Sequence, residues 1–166
     1  DIWMIAVAGP RTAGMPLLNG PSNENNATVS PNGRWLAYQS DESGRYEIYV
    51  RPFPEVSTGR WQISTGGGTR PRWSRNGREL FYYVAAGPRG TLMAVSVESG
   101  SSFSAGAPEM LFQGSYPAPN AGRGLYDVSP DGQRFLMIKG DERSTAQNLT
   151  VVLNWHEELK RLVPTR

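Results

Sequence analysis

The chain has 166 residues, enough to bury one core, and its 38% apolar and 19% charged content is that of a folded domain rather than a disordered segment. Seventeen basic and fifteen acidic residues give a formal charge of +2 and are spread along the chain, which argues against a nucleic-acid footprint built on one basic face. No run approaches the roughly 20 apolar residues of a membrane-spanning helix, so no membrane insertion is expected, and the absence of cysteine excludes disulfides, thiolate metal sites and cysteine nucleophiles.

Nineteen glycines and thirteen prolines favour many short strands joined by turns, so the fold class is expected to be all-β. In chain order, Asp1 to Val7 reads as one strand and Met15-Pro16-Leu17-Leu18 as the next, placing the end of an earlier unit in residues 1–20. Asp1-Ile2-Trp3 lacks the basic start of a signal peptide, so a targeting segment, if one exists, is removed or lies outside this sequence.

Three tetrapeptides then mark a repeat: Ser30-Pro31-Asn32-Gly33, Ser74-Arg75-Asn76-Gly77 and Ser129-Pro130-Asp131-Gly132. Strand-like residues flank each one, Ala27-Thr28-Val29 before and Trp35-Leu36-Ala37-Tyr38 after the first, Pro71-Arg72-Trp73 and Leu80-Phe81-Tyr82 around the second, Tyr126-Asp127-Val128 and Phe135-Leu136-Met137 around the third. Further strands are expected at Tyr46 to Val50, Leu92 to Val97 and Leu149 to Leu153, and outer ones at Trp61 to Ser64 and Met110 to Gln113. The tetrapeptides lie 44 and 55 residues apart, near the roughly 40 to 45 residues of a four-stranded propeller blade. The longer interval fits an insertion around Tyr116 to Gly122. Asn-Gly or Asp-Gly between the first two strands predicts a two-residue type I′ hairpin turn, which needs positive φ at both central positions.

The expected architecture is therefore a partial β-propeller of about three four-stranded blades, with extra N-terminal strands and a short C-terminal helix. Its blades fall at 26–65 and 70–114, an incomplete one at 124–155 and the helix at 156–163. The helix expectation rests on the Glu157/Arg161 spacing and on Pro164 as a stop.

Ser-Pro-Asp-Gly, followed by Arg-x-Leu-Ala-Tyr and Glu-Ile-Tyr-Val patterns, resembles the WD-like repeat of TolB-type β-propellers over nearly the whole chain. The stretch Leu153-Asn154-Trp155-His156-Glu157-Glu158-Leu159-Lys160-Arg161-Leu162 is similar to the C-terminal end of a bacterial subgroup, some members of which are fused to serine/threonine protein kinases. The resemblance implies a bacterial periplasmic or other extracytoplasmic location and about six blades in a complete ring. Two copies would supply six, so a homodimer is expected; the alternatives are that the sequence is a fragment of a longer propeller or that it closes in another multiple. Met15 to Leu18 of one copy would fall beside the unfinished blade of the other, and Asp1 to Val7 would be displaced from the ring, disordered or packed elsewhere.

Catalytic signatures are weak. His156 is the only histidine, no Gly-x-Ser-x-Gly elbow is present, and Gly66-Gly67-Gly68-Thr69 lacks the Gly-Lys-Ser/Thr ending of a phosphate loop and reads as a flexible connection. The pairs Asp41-Glu42 and Asp141-Glu142 read as solvated hairpin tips, and no catalytic residue, metal or cofactor is expected. Blade alignment puts Arg70, Arg72 and Arg123 near the inner strands with Asn25, Asn26 and Asp127, a channel rim suited to a peptide or anionic ligand. The leading expectation is a non-catalytic scaffold binding a protein or peptide there. The alternatives are an enzyme or enzyme-gating propeller using Asp127 and Arg123, and a self-assembling half-propeller with no specific ligand.

Overall fold

The computed structural model describes residues 1–7, 14–87, 89–116 and 126–138. Arg123, Asp141-Glu142, the strand expected at Leu149 to Leu153 and the helix expected at 156–163 lie outside these residues. All regular structure among the described residues is β, in four antiparallel sheets. β1 (Ile2–Met4) pairs with β2 (Met15–Leu18). β3 (Glu24–Val29), β4 (Trp35–Ser40), β5 (Glu47–Pro52) and β6 (Trp61–Gln62) form a four-stranded meander. β7 (Thr69–Trp73), β8 (Glu79–Ala86) and β9 (Arg89–Ser99) begin a second meander, in which β9 carries two outer partners, β10 (Phe103–Ala105) and β11 (Glu109–Gly114). β12 (Tyr126–Val128) pairs with β13 (Phe135–Met137).

β1 pairs with β2 inside this chain: Ile2 stands opposite Leu18, Trp3 opposite Pro16 and Met4 opposite Met15. Pairing with a segment close in sequence has a small loop-closure cost, which favours the local partner.

The three tetrapeptides fold alike, and not as type I′ turns. The residue opposite each serine is five positions on: Ser30 N donates to Trp35 O at 2.8 Å, Ser74 N to Glu79 O at 2.9 Å and Ser129 N to Arg134 O at 2.8 Å. The loop is thus four residues long. Within it the glycine N–H returns to the serine carbonyl, at 2.8, 3.0 and 2.9 Å respectively. Only the glycines have positive φ, 72° at Gly33, 67° at Gly77 and 72° at Gly132, while Asn32, Asn76 and Asp131 do not.

The side chains explain why this loop displaces the two-residue turn. Ser30 Oγ donates to Asn32 Oδ1 at 2.7 Å and accepts Trp35 N at 3.0 Å, and Asn32 Oδ1 accepts Arg34 N at 3.1 Å. Ser74, Asn76, Arg78 and Glu79 repeat these contacts at 2.8, 2.9 and 2.9 Å. In the third copy Ser129 Oγ donates to Asp131 Oδ1, which also accepts Gln133 N at 3.0 Å, and Arg134 N donates to Ser129 Oγ at 2.9 Å. The stitching needs one side-chain oxygen at the third position. Asparagine and aspartate serve equally, so losing the carboxylate in the first two copies leaves the turn intact.

Two apolar layers separate the units. Trp35, Ala37, Ile48 and Val50 of the first meander meet Leu80, Tyr82, Val95 and Val97 of the second, while Phe81, Tyr83, Leu92 and Ala94 point the other way, toward Tyr126, Phe135 and Met137. β8 and β9 are therefore buried on both faces, which is why they read as continuous apolar runs rather than as alternating ones. Phe103 on β10 closes the first layer, with its ring 5.2 Å from Trp35, 5.3 Å from Trp61 and 6.4 Å from Trp73. The turn of one unit also grips the next: Asn32 Nδ2 and Trp35 Nε1 donate to Ser99 O at 2.5 and 3.1 Å, and an Arg34 guanidinium N–H to Gly100 O at 3.3 Å.

The glycine-rich connection at 66–68 is pinned rather than loose. Glu47, fully buried, accepts Gly67 N at 2.9 Å and Arg45 Nε at 2.8 Å through Oε1, and the Ser64 hydroxyl through Oε2. Asp41 and Glu42 do point apart, the first accepting from Asn23 and the second pairing with Arg60 at 2.5 Å.

Candidate functional site

The inner strands β3, β7 and β12 each lead into a serine turn, and β3 packs directly against β7. Both β3 and β7 break their register four residues before the serine. The bulges fall between Asn25 and Thr28 and between Thr69 and Arg72, and their central residues are left-handed, Asn26 at φ 51° and Arg70 at φ 56°. Left-handed backbone at a non-glycine residue costs about 1–2 kcal/mol and persists only where surrounding contacts hold it.

Gln39 supplies those contacts. It is 5% exposed, opposite Asn25 on β4. Its Oε1 accepts Asn26 Nδ2 at 2.9 Å and Arg70 N at 2.9 Å, using both lone pairs on the two bulges. Arg70 is held from the other side as well, since Tyr126 Oη donates to its carbonyl at 2.7 Å. A polar seam thus runs from Asn26 through Gln39 and Arg70 to Tyr126, tying the inner strands of three successive units. Burial pushes the Tyr126 hydroxyl far above its ordinary value, against the smaller pull of Arg72 and Arg70, so it remains a donor.

The seam places most of the residues predicted from sequence. Arg70 and Arg72 are both half-buried on β7, close enough to act on each other electrostatically: burial lowers the Arg70 pKa first and the charge of Arg72 lowers it further. Asn25 and Asn26 are exposed at the bulge of β3, where Asn26 Nδ2 also reaches Asn25 Oδ1 at 3.1 Å. Asp127 is exposed on β12, and its Oδ1 accepts the neighbouring Val128 N at 2.9 Å. Arg123 is outside the described residues. Gln39 and Tyr126 were not among the residues singled out, yet they form the framework. Their signal was slight: Gln39 directly follows the apolar run Leu36-Ala37-Tyr38, and Tyr126 stands three positions before its turn serine, where the other two copies have Ala27 and Pro71.

Chemically the rim offers amide and guanidinium donors from β3 and β7 and one carboxylate from β12. Among the described residues no group of three histidine, aspartate or glutamate side chains gathers to hold a metal.

Antiparallel four-stranded meanders packed face to face, with inner strands side by side, are the build of a β-propeller. No protein-family profile and no curated protein matches the sequence. Among solved structures, 32 chains match. One is a structure from Agrobacterium tumefaciens assigned as a TolB, with 20% identity and a TM-score of 0.51 over 76% of this chain. The likeness shows a TolB-like fold. The match spans 47% of that protein's length.

Proposed function

We propose that the chain is a non-catalytic propeller scaffold that binds a protein or peptide across the inner-strand rim. The observation that carries this reading is the seam itself: one buried glutamine, Gln39, holds the Asn26 side chain and the Arg70 backbone N–H at two strained bulges, with Asn25 and Arg72 beside them. Preorganised polar groups on rigid strands are what recognition of a polar chain requires. An extracytoplasmic location, implied by the resemblance, belongs to the same proposal.

Ring completion by a second copy is the other part of it. Apolar side chains stand in water at both ends of the stack, Trp3 and Met15 on the first hairpin and Leu136, at 76% exposure, with Ile138 at the last. A second copy stacked end to end would cover both surfaces, using the free edge of β2 rather than displacing β1. The test is solution mass by light scattering together with a peptide-array screen. A species at twice 18.3 kDa that retains array peptides, and loses them on Gln39→Leu, is expected. A monodisperse monomer overturns ring completion, and no retained peptide overturns the binding role.

A further inference from the structure

The inner rim carries a charge asymmetry that a general peptide-binding surface does not need. Among the described residues Arg72 forms no ion pair and donates one hydrogen bond, to the Pro71 carbonyl at 3.4 Å. It stands two positions from Arg70 on a strand whose backbone is fixed at both N–H and carbonyl by Gln39 and Tyr126. The four ion pairs among the described residues use Asp1, Arg45, Arg60 and Arg134 as their cations, so the acids they contain are committed elsewhere. Asp127, the acid of the rim, lies on the next inner strand with one oxygen already bonded to Val128 N.

Resting on the rim reading, we propose that Arg72, with Arg70 beside it, forms a subsite for a carboxylate of a bound peptide. A carboxylate accepts two parallel N–H bonds from one guanidinium, a geometry that a planar fork supplies and a lysine does not. Half-burial strengthens the attraction, because water screens it less than at an open surface. Burial and, after it, the charge of Arg72 depress the Arg70 pKa, and an anion held by Arg72 offsets the second of these. Asn25 and Asn26 add neutral amide donors and acceptors alongside, suited to the peptide backbone preceding the carboxylate. Gln39 is a positioning residue: it fixes the bulge that aims Arg70 and touches no ligand.

Three fluorescein-labelled probes test this by anisotropy with the full chain: a Gly-Ser octapeptide with a free C-terminal carboxylate, the same peptide amidated, and an amidated version with two internal glutamates. At least one carboxylate-bearing probe is expected to bind ten-fold or more tighter than the neutral one, and which of the two does so tells a chain terminus from an acidic side chain. Arg72→Met should abolish that ten-fold preference, while Arg72→Lys should restore part of it and weaken its dependence on fork geometry. Thermal unfolding confirms that each variant is folded. If Arg72→Met does not fold, Arg72→Lys carries the test, because an intact preference in that variant removes the need for the fork. Equal binding of all three probes, or a preference unchanged in either variant, overturns the subsite while leaving peptide binding by the rim intact. Binding of none of them, with array peptides still retained, overturns it too.

Discussion

Replacing the serine of each turn by alanine separates side-chain stitching from loop sequence. In Ser74→Ala, Glu79 N loses the acceptor it uses at 2.9 Å and Asn76 Oδ1 loses a donor at 2.8 Å, at a site where the serine is 1% exposed. Leaving one N–H without a partner away from water costs about 1–3 kcal/mol, and the serine is too enclosed for water to substitute. Ser30→Ala does the same to Trp35 N at 3% exposure, so it should fall in the same range. Ser129 is half-buried and its partner Arg134 is exposed, so water can take over the bond there and the cost should drop to about 0.5–1 kcal/mol. Urea unfolding followed by tryptophan fluorescence measures the difference. With a slope of about 2 kcal/mol/M, the two buried variants should lower the midpoint by about 0.5–1.5 M. If Ser129→Ala costs as much as Ser74→Ala, or if Ser74→Ala leaves the midpoint unchanged, the side-chain bonds do not hold the turns.

Phe103→Ala removes the ring shared by three tryptophans and should cost about 3–5 kcal/mol, read by the same titration and by loss of near-ultraviolet circular dichroism. Gly90→Ala would set a methyl carbon 1.8 Å from the Tyr83 hydroxyl, which is tied to Tyr116 O at 2.6 Å, so a drop in melting temperature of several degrees is expected, and an unchanged value would mean that Tyr83 moves freely. At low pH the third turn should weaken first. Bonds from Ser129 and then Gln133 N hold the Asp131 carboxyl below its ordinary 3.8, so its contribution is present above that value and lost as pH falls through the lower folded one, and Asp131→Asn should reduce the acid sensitivity seen in pH-dependent melting. At high pH the sign reverses: burial raises Tyr38, Tyr82, Tyr83 and Tyr126 above their ordinary 10.0, so stability should fall as pH climbs past 10.0, and a flat alkaline profile would contradict their burial.

The repeat was legible because its punctuation is chemical: serine, an Asx side chain and glycine recur at fixed offsets, and the strands around them follow. Turn type was not legible from the Asn-Gly pair. That pair predicts a two-residue loop when read alone, but the serine two positions earlier supplies a hydroxyl that lengthens the loop to four. The left-handed conformations of Asn26 and Arg70 leave no local signature, because they depend on Gln39 arriving from another strand and, at Arg70, from another unit. β10 was missed for a related reason. Phe103-Ser104-Ala105 is too short and too polar to stand out, and what orders it is the aromatic pocket between two sheets, which no window of neighbouring residues contains.

The second position of each turn, Pro31, Arg75 and Pro130, is exposed and takes no part in the stitching bonds. These positions sit at one phase of three successive units, which makes them a built-in ruler. A cysteine placed at any two of them, in a chain that has none of its own, would accept a dye pair at matched sites. The transfer efficiency between neighbouring and next-neighbouring pairs would then report the angle through which each unit turns from the last, and hence how many units a closed circle contains.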